Sequence, residues 1–97
     1  PKELEELLFA HPSVAEVAVV GLPDEKWGEV ISAFVRPAAD ATIDRGELFA
    51  YLREHLAPHK TPRHWFQVDG FPLTGSGKIQ KFVLRDQWVD GQWTELD

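Results

Sequence analysis

The chain has 97 residues, with 43% hydrophobic residues, four tryptophans and no cysteine. That is enough to bury one core, and the missing thiols exclude a disulfide framework and a thiolate metal site. A formal charge of −6 argues against a nucleic-acid surface, which needs a basic stripe.

No apolar run approaches the length of a membrane span and no basic-then-apolar leader opens the chain. A cytoplasmic setting is therefore the expectation. Without an initiator Met, and already in a helical pattern, the first residues lead us to expect a piece of a longer polypeptide. Pro1 suits the first turn of a helix. Leu4, Leu7 and Leu8 follow at helical spacing, with Glu3, Glu5 and Glu6 between them, where the helix dipole favours carboxylates. A solvated acidic face is expected there rather than a paired acid/base site. His11-Pro12 ends the pattern.

Val14 to Gly21 reads as a strand. Its run Val17-Ala18-Val19-Val20 is nearly continuous, as in a strand covered on both faces. Gly21-Leu22-Pro23-Asp24 is expected to break it. Lys26-Trp27-Gly28-Glu29 reads as a loop and Val30 to Arg36 as a second strand. The short connection predicts antiparallel pairing.

Residues 37–41 read as a linker, and Thr42 or Asp44 as the cap of the next helix. Ile43, Leu48, Phe49, Leu52 and Leu56 make its apolar stripe, with Pro58 at its end. His55 and His59 are four apart, but a proline stands between them and no acidic third ligand is well spaced. They read as surface histidines, and no metal site is expected. Lys60 and Arg63 place cations near a helix end, where they complement its dipole.

His64 to Val68 is an aromatic-rich short strand. Asp69-Gly70 predicts a hairpin turn into Phe71-Pro72-Leu73, with Lys78 just beyond the second arm. Lys81 to Val89 reads as a final helix with Phe82, Leu84, Trp88 and Val89 as core candidates, and Gly91 stops it. The fold class is α+β: one domain over residues 1–97, with an antiparallel or mixed sheet of about three strands, a short hairpin and about three helices.

The stretch Pro72-Leu73-Thr74-Gly75-Ser76-Gly77-Lys78-Ile79-Gln80-Lys81 carries the chemistry. Glycines permit a tight turn and a close approach to a ligand. Lys78 is a compact cation on a flexible stem, suited to phosphate or carboxylate oxygens. A P-loop needs glycine where Pro72 stands and Ser or Thr where Ile79 stands, so that pattern fails. A turn with an exposed lysine remains the plain alternative.

The longer word resembles the closing motif of the AMP-forming adenylating enzymes, which include acyl-CoA synthetases, luciferases and the adenylation domains of peptide synthetases. Their pattern is Pro-x-Thr-x-x-Gly-Lys, then an aliphatic residue, any residue, and Arg or Lys. It is met at Pro72, Thr74, Gly77, Lys78, Ile79 and Lys81. Pro1-x-Glu3-x-Glu5 is similar to the motif past the family's interdomain hinge. Gly21-Leu22-Pro23-Asp24 with Trp27-Gly28-Glu29 resembles a loop between its strands. Leu56-Ala57-Pro58-His59-Lys60-Thr61-Pro62-Arg63 resembles a further segment. Essentially the whole chain is covered.

The resemblance implies the C-terminal lid domain of such an enzyme, with the large N-terminal domain and hinge missing and no activity in isolation. It implies ATP, a carboxylic acid and coenzyme A as substrates of the parent, Mg2+ at the parent active site but not on this domain, and the parent's own N-terminal domain as partner. Lys78 is the implied catalytic residue of adenylation, and Thr74, Gly75, Ser76 and Gly77 form its loop. Lys26 and Arg53 resemble residues that lie near coenzyme A in relatives, with surface solvation as the alternative. Ser-Gly-Lys-Ile-Gln-Lys resembles synthetases of medium- to long-chain fatty acids. An adenylation domain loading a carrier protein and a non-catalytic binding module are the competing readings.

Overall fold

The computed structural model describes residues 2–57 and 60–96. Its elements run α1 (Lys2–Phe9), β1 (Val14–Asp24), β2 (Gly28–Pro37), α2 (Arg45–Arg53), β3 (His64–Gln67) and α3 (Lys81–Val89). The sheet order is β1-β2-β3. β1 runs antiparallel to β2 and β3 runs parallel to it. This mixed sheet with three helices is the α+β class read from the sequence.

Alternation along the strands sends side chains to opposite faces, and both faces are covered. Val19, Ala33, Val35 and Trp65 meet Leu4 and Leu8 of α1 and Leu48 and Leu52 of α2. Ala18, Val20, Leu22, Val30, Phe34 and Phe66 meet Leu84 of α3. The adjacent Trp65 and Phe66 are both buried, one in each cluster. Such double coverage accounts for the nearly unbroken valine run of β1. Asp44, rather than Thr42, caps α2 by accepting the Glu47 N–H at 3.0 Å.

Several local expectations are corrected. β1 does not break at Gly21 but continues to Asp24, with Leu22 opposite Val30 and Pro23 opposite Glu29. β1 lies at a sheet edge, where proline is tolerated. A Cβ at Gly21 would touch only the flexible, exposed Glu29 side chain, and this glycine lies within the strand rather than in a turn.

Asp69-Gly70 does not make a hairpin either. β3 continues its ladder with β2 through Val68 N–H to the Val35 carbonyl, while Leu96 N–H bonds the Trp65 carbonyl at 2.8 Å. β2 and the C-terminal tail thus share the hydrogen-bonding capacity of β3, and Pro72 and Leu73 pair elsewhere. Phe82 and Val89 are 64% and 61% exposed; Leu84 and the half-buried Trp88 hold α3 to the sheet. Phe49 is exposed as well. Pro1, Pro58 and His59 lie outside the described residues.

Candidate active-site loop

The segment after Phe71 folds back on itself. Gln80 N–H donates to the Pro72 carbonyl at 2.8 Å, Thr74 N–H to the Lys78 carbonyl at 2.8 Å, and Gly77 N–H to the Thr74 carbonyl at 2.9 Å. Leu73 bridges Ile79 in antiparallel fashion. Gly77 sits at φ +85, in the left-handed region that closes such short hairpin loops. Thr74 completes the closure: its Oγ1 accepts the Lys78 N–H at 3.1 Å and lies 3.0 Å from the Ser76 Oγ.

All the predicted loop residues, Thr74, Gly75, Ser76, Gly77 and Lys78, therefore belong to one hydrogen-bonded hairpin. Lys78 lies within its returning arm, not beyond it. Arm residues alternate: Ile79 packs against the cluster on the α3 face, and Lys78 is exposed. A side chain on Gly75 would meet nothing within 4 Å, so packing against the rest of the fold does not require that glycine.

Among the described residues Lys78 forms no ion pair. Lys81, three residues on, is tied to Glu5 at 2.9 Å. Between the hairpin and α1 lies an open groove of about 510 Å³, bordered by Lys2, Phe9, Glu16, Val17, Gly77 and Lys78 among others. An unpaired cation beside an open groove can meet an anion without first giving up a partner.

The two other candidates lie elsewhere, and neither borders this groove. Lys26 is at the tip between β1 and β2, its ammonium 5.0 Å from the centre of the Trp27 ring, and Trp27 is 59% exposed. Arg53 ends α2, its guanidinium 5.8 Å from the Phe49 ring. Each cation rests on an aromatic face, a contact of modest strength at exposed sites.

Sequence reasoning missed two carboxylates. Asp24 Oδ1 accepts the Lys26 and Trp27 N–H groups at 2.8 and 2.9 Å. The Trp27 N–H, above all, holds its carboxyl below the ordinary value; desolvation opposes this, and the Lys26 N–H and the charges of Arg63 and His64 add to it. Glu5 Oε2 accepts the Val19 N–H at 2.9 Å on the edge strand β1 as well as the Lys81 ammonium. The available signal was the short Pro1-x-Glu3-x-Glu5 word, which helix periodicity alone reads as a solvated face. Among the described residues no group of three potential metal ligands gathers, and no helix is long and apolar enough to cross a membrane.

The family model of the AMP-binding enzyme C-terminal domain matches residues 3–78, ending on Lys78. A feruloyl-CoA synthase of Amycolatopsis sp is 47% identical over 85 residues, covering 88% of this chain and 17% of that protein. The mitochondrial medium-chain acyl-CoA ligase ACSF2 of Mus musculus is 45% identical over 87 residues, covering 90% and 14%. The crystal structure of ATP-bound MatB from Rhodopseudomonas palustris superposes with a TM-score of 0.87 at 38% identity, covering 95% of this chain and 18% of that one. The chain thus spans less than a fifth of the length of these relatives. With the fold, the hairpin and these matches in agreement, the chain belongs to the family of AMP-binding enzyme C-terminal domains.

Proposed function

We propose that this chain is the mobile lid of an AMP-forming fatty-acid CoA ligase, acting on medium- to long-chain acids, and that Lys78 supplies the cation for adenylation. The observation that carries the reading is Lys78 itself: exposed, without an ion pair among the described residues, on a closed hairpin at the edge of an open groove.

In the first step a carboxylate oxygen attacks the α-phosphorus of ATP. A P–O bond forms, the bond to the β-phosphate breaks, and pyrophosphate leaves. Two anions must approach, and charge gathers on the oxygens between them. An ammonium placed there lowers both penalties. Arg would serve less well, because its planar fork suits bidentate contact rather than one shared point charge. Gly75 and Gly77 keep the tip narrow enough to enter a crowded site.

In the second step the thiol of coenzyme A attacks the acyl carbonyl and AMP leaves. The lid then presents another face, a hinge motion that completes a second constellation. Lys26 and Arg53 are the cations proposed for the phosphates of coenzyme A, with Trp27 offering a flat face beside Lys26. Mg2+ is expected with the nucleotide at the parent active site rather than on this domain. We propose the cytoplasm as the compartment.

The test is single-turnover kinetics of the two half-reactions in the full-length polypeptide carrying this chain. Lys78→Ala should slow acyl-AMP formation by roughly 10²–10³, the usual loss for one such electrostatic contact, while thioester formation from supplied acyl-AMP is spared. Equal loss in both halves overturns the assignment. Free coenzyme A failing as acceptor where a carrier protein succeeds would favour the carrier-loading reading.

A further inference from the structure

We propose that Glu5 is a positioning residue for Lys78 and acts through Lys81; the inference rests on the role of Lys78 proposed above. The starting point is a local rule that α3 breaks. Lys81 is its first residue, the first turn holds no acidic residue, and the N-cap Gln80 makes no side-chain cap bond. A cation at a helix N-terminus opposes the helix dipole. Such a breach without a local remedy asks for a tertiary reason.

Glu5 supplies it. One oxygen, Oε2, takes both the Val19 N–H and the Lys81 ammonium, each at 2.9 Å. The first bond fixes the carboxylate to the edge of the sheet. The second ties the start of α3 to that fixed point. Lys81 follows directly on the hairpin's closing bond from Gln80 to Pro72, so the pair pins the root of the hairpin against α1 and β1.

Glu5 and Lys81 border the same groove as Lys78. With Glu5 in place, Lys81 is neutralised and Lys78 keeps its charge free. Without Glu5, Lys81 joins Lys78 and Lys2 as a further cation of this groove with no ion pair among the described residues, and an incoming anion can settle on the wrong one.

The experiment uses the full-length polypeptide with Glu5→Gln, Lys81→Met, both together, Lys81→Arg, and Lys78→Ala as reference. Glu5→Gln keeps an acceptor for Val19 while removing the charge. Three quantities are read: the rate of adenylation, the rate of thioester formation from supplied acyl-AMP, and hydrogen exchange of the Gln80 amide. Glu5→Gln and Lys81→Met should each slow adenylation by about tenfold, as displacements of a reacting group do. The double variant should be no slower than either alone, the mark of a coupled pair. Lys81→Arg should retain the rate, thioester formation should hold, and the Gln80 amide should exchange faster in the slow variants.

Unchanged adenylation, multiplied losses in the double variant, or an equal fall in thioester formation each overturns the proposal. If Glu5→Gln melts the fold, Lys81→Met decides, because it leaves Glu5 on the sheet edge. Loss in Lys78→Ala with none in the pair variants overturns this proposal alone. Adenylation untouched by Lys78→Ala takes down the reading of Lys78 and this one with it.

Discussion

Two lysine-bearing tips of this molecule are built alike and offer their cations differently. At the tip from Asp24 to Gly28, an Asp side chain accepts two backbone N–H groups of the turn, and Gly28 sits at φ +79. At the tip from Thr74 to Lys78, a Thr hydroxyl accepts one, and Gly77 sits at φ +85. The first ends a long strand pair and lays its lysine on Trp27. The second closes through a single bridge, anchors through Ile79 and leaves its lysine without an ion pair among the described residues. Turn chemistry alone therefore does not decide how a cation is offered; its surroundings do. A hydroxyl closes the second turn without setting an anion beside Lys78.

The largest expected effect breaks the symmetry of the tips outright. The loss of about 10²–10³ in adenylation expected of Lys78→Ala should have no counterpart in Lys26→Ala, whose adenylation rate should match the parent. Half-reaction kinetics on the two variants side by side give the answer, and similar losses from both would erase the distinction.

A finer version exchanges the acceptors. Thr74→Asp borrows the chemistry of the other tip, so the hairpin should still close and the melting temperature should hold. The new carboxylate would face the Lys78 backbone N–H, and if the flexible Lys78 stem folds back to it, the pair in solvent-exposed surroundings is worth on the order of 1 kcal/mol. Adenylation should fall by roughly tenfold for about 1.4 kcal/mol, with Thr74→Ser near the parent rate. A Thr74→Asp variant that adenylates normally would show that the choice of hydroxyl over carboxylate is indifferent.

Smaller again is the effect of crowding the left-handed positions. Gly28→Ala and Gly77→Ala should each cost about 1–2 kcal/mol of stability, the penalty of a Cβ in that backbone region, since neither site is otherwise obstructed. Both melting temperatures should drop, but only Gly77→Ala should also slow adenylation. Parallel behaviour in both assays would deny the second tip its special role.

Much of this was legible because it rests on short-range spacing. The valine run, the antiparallel strand pair, the three helices and the glycine loop each carry their signal within a few residues. What escaped was decided at long range. Asp69-Gly70 carries a strong local turn signal, yet Trp65 already bonds the tail at Leu96. Phe82 and Val89 fit a helical stripe, but the face of α3 toward the sheet is narrow and takes only Leu84 and Trp88. Of Glu3, Glu5 and Glu6, no spacing rule tells which one turns to the edge of β1.

The smallest expected effect tests why the first tip uses a carboxylate. Asn at position 24 keeps the acceptor and loses the charge. The Trp27 N–H, above all, and then the Lys26 N–H and the Arg63 guanidinium outweigh desolvation and favour the ionised form, so the Asp24 carboxyl titrates below its ordinary 3.8 in the folded chain. A group whose folded value is depressed stabilises the fold above its unfolded value and loses that contribution as pH falls through the folded one. The parent should therefore melt slightly above Asp24→Asn at pH 7, and the gap should shrink to nothing as the pH is taken below the ordinary value of 3.8. Thermal melts of the two proteins across that range check the sign. A gap that widens toward acid would mean that the side chain serves the turn as a neutral acceptor, as Thr74 does at the other tip, and the contrast between charged and uncharged closures would lose one of its two sides.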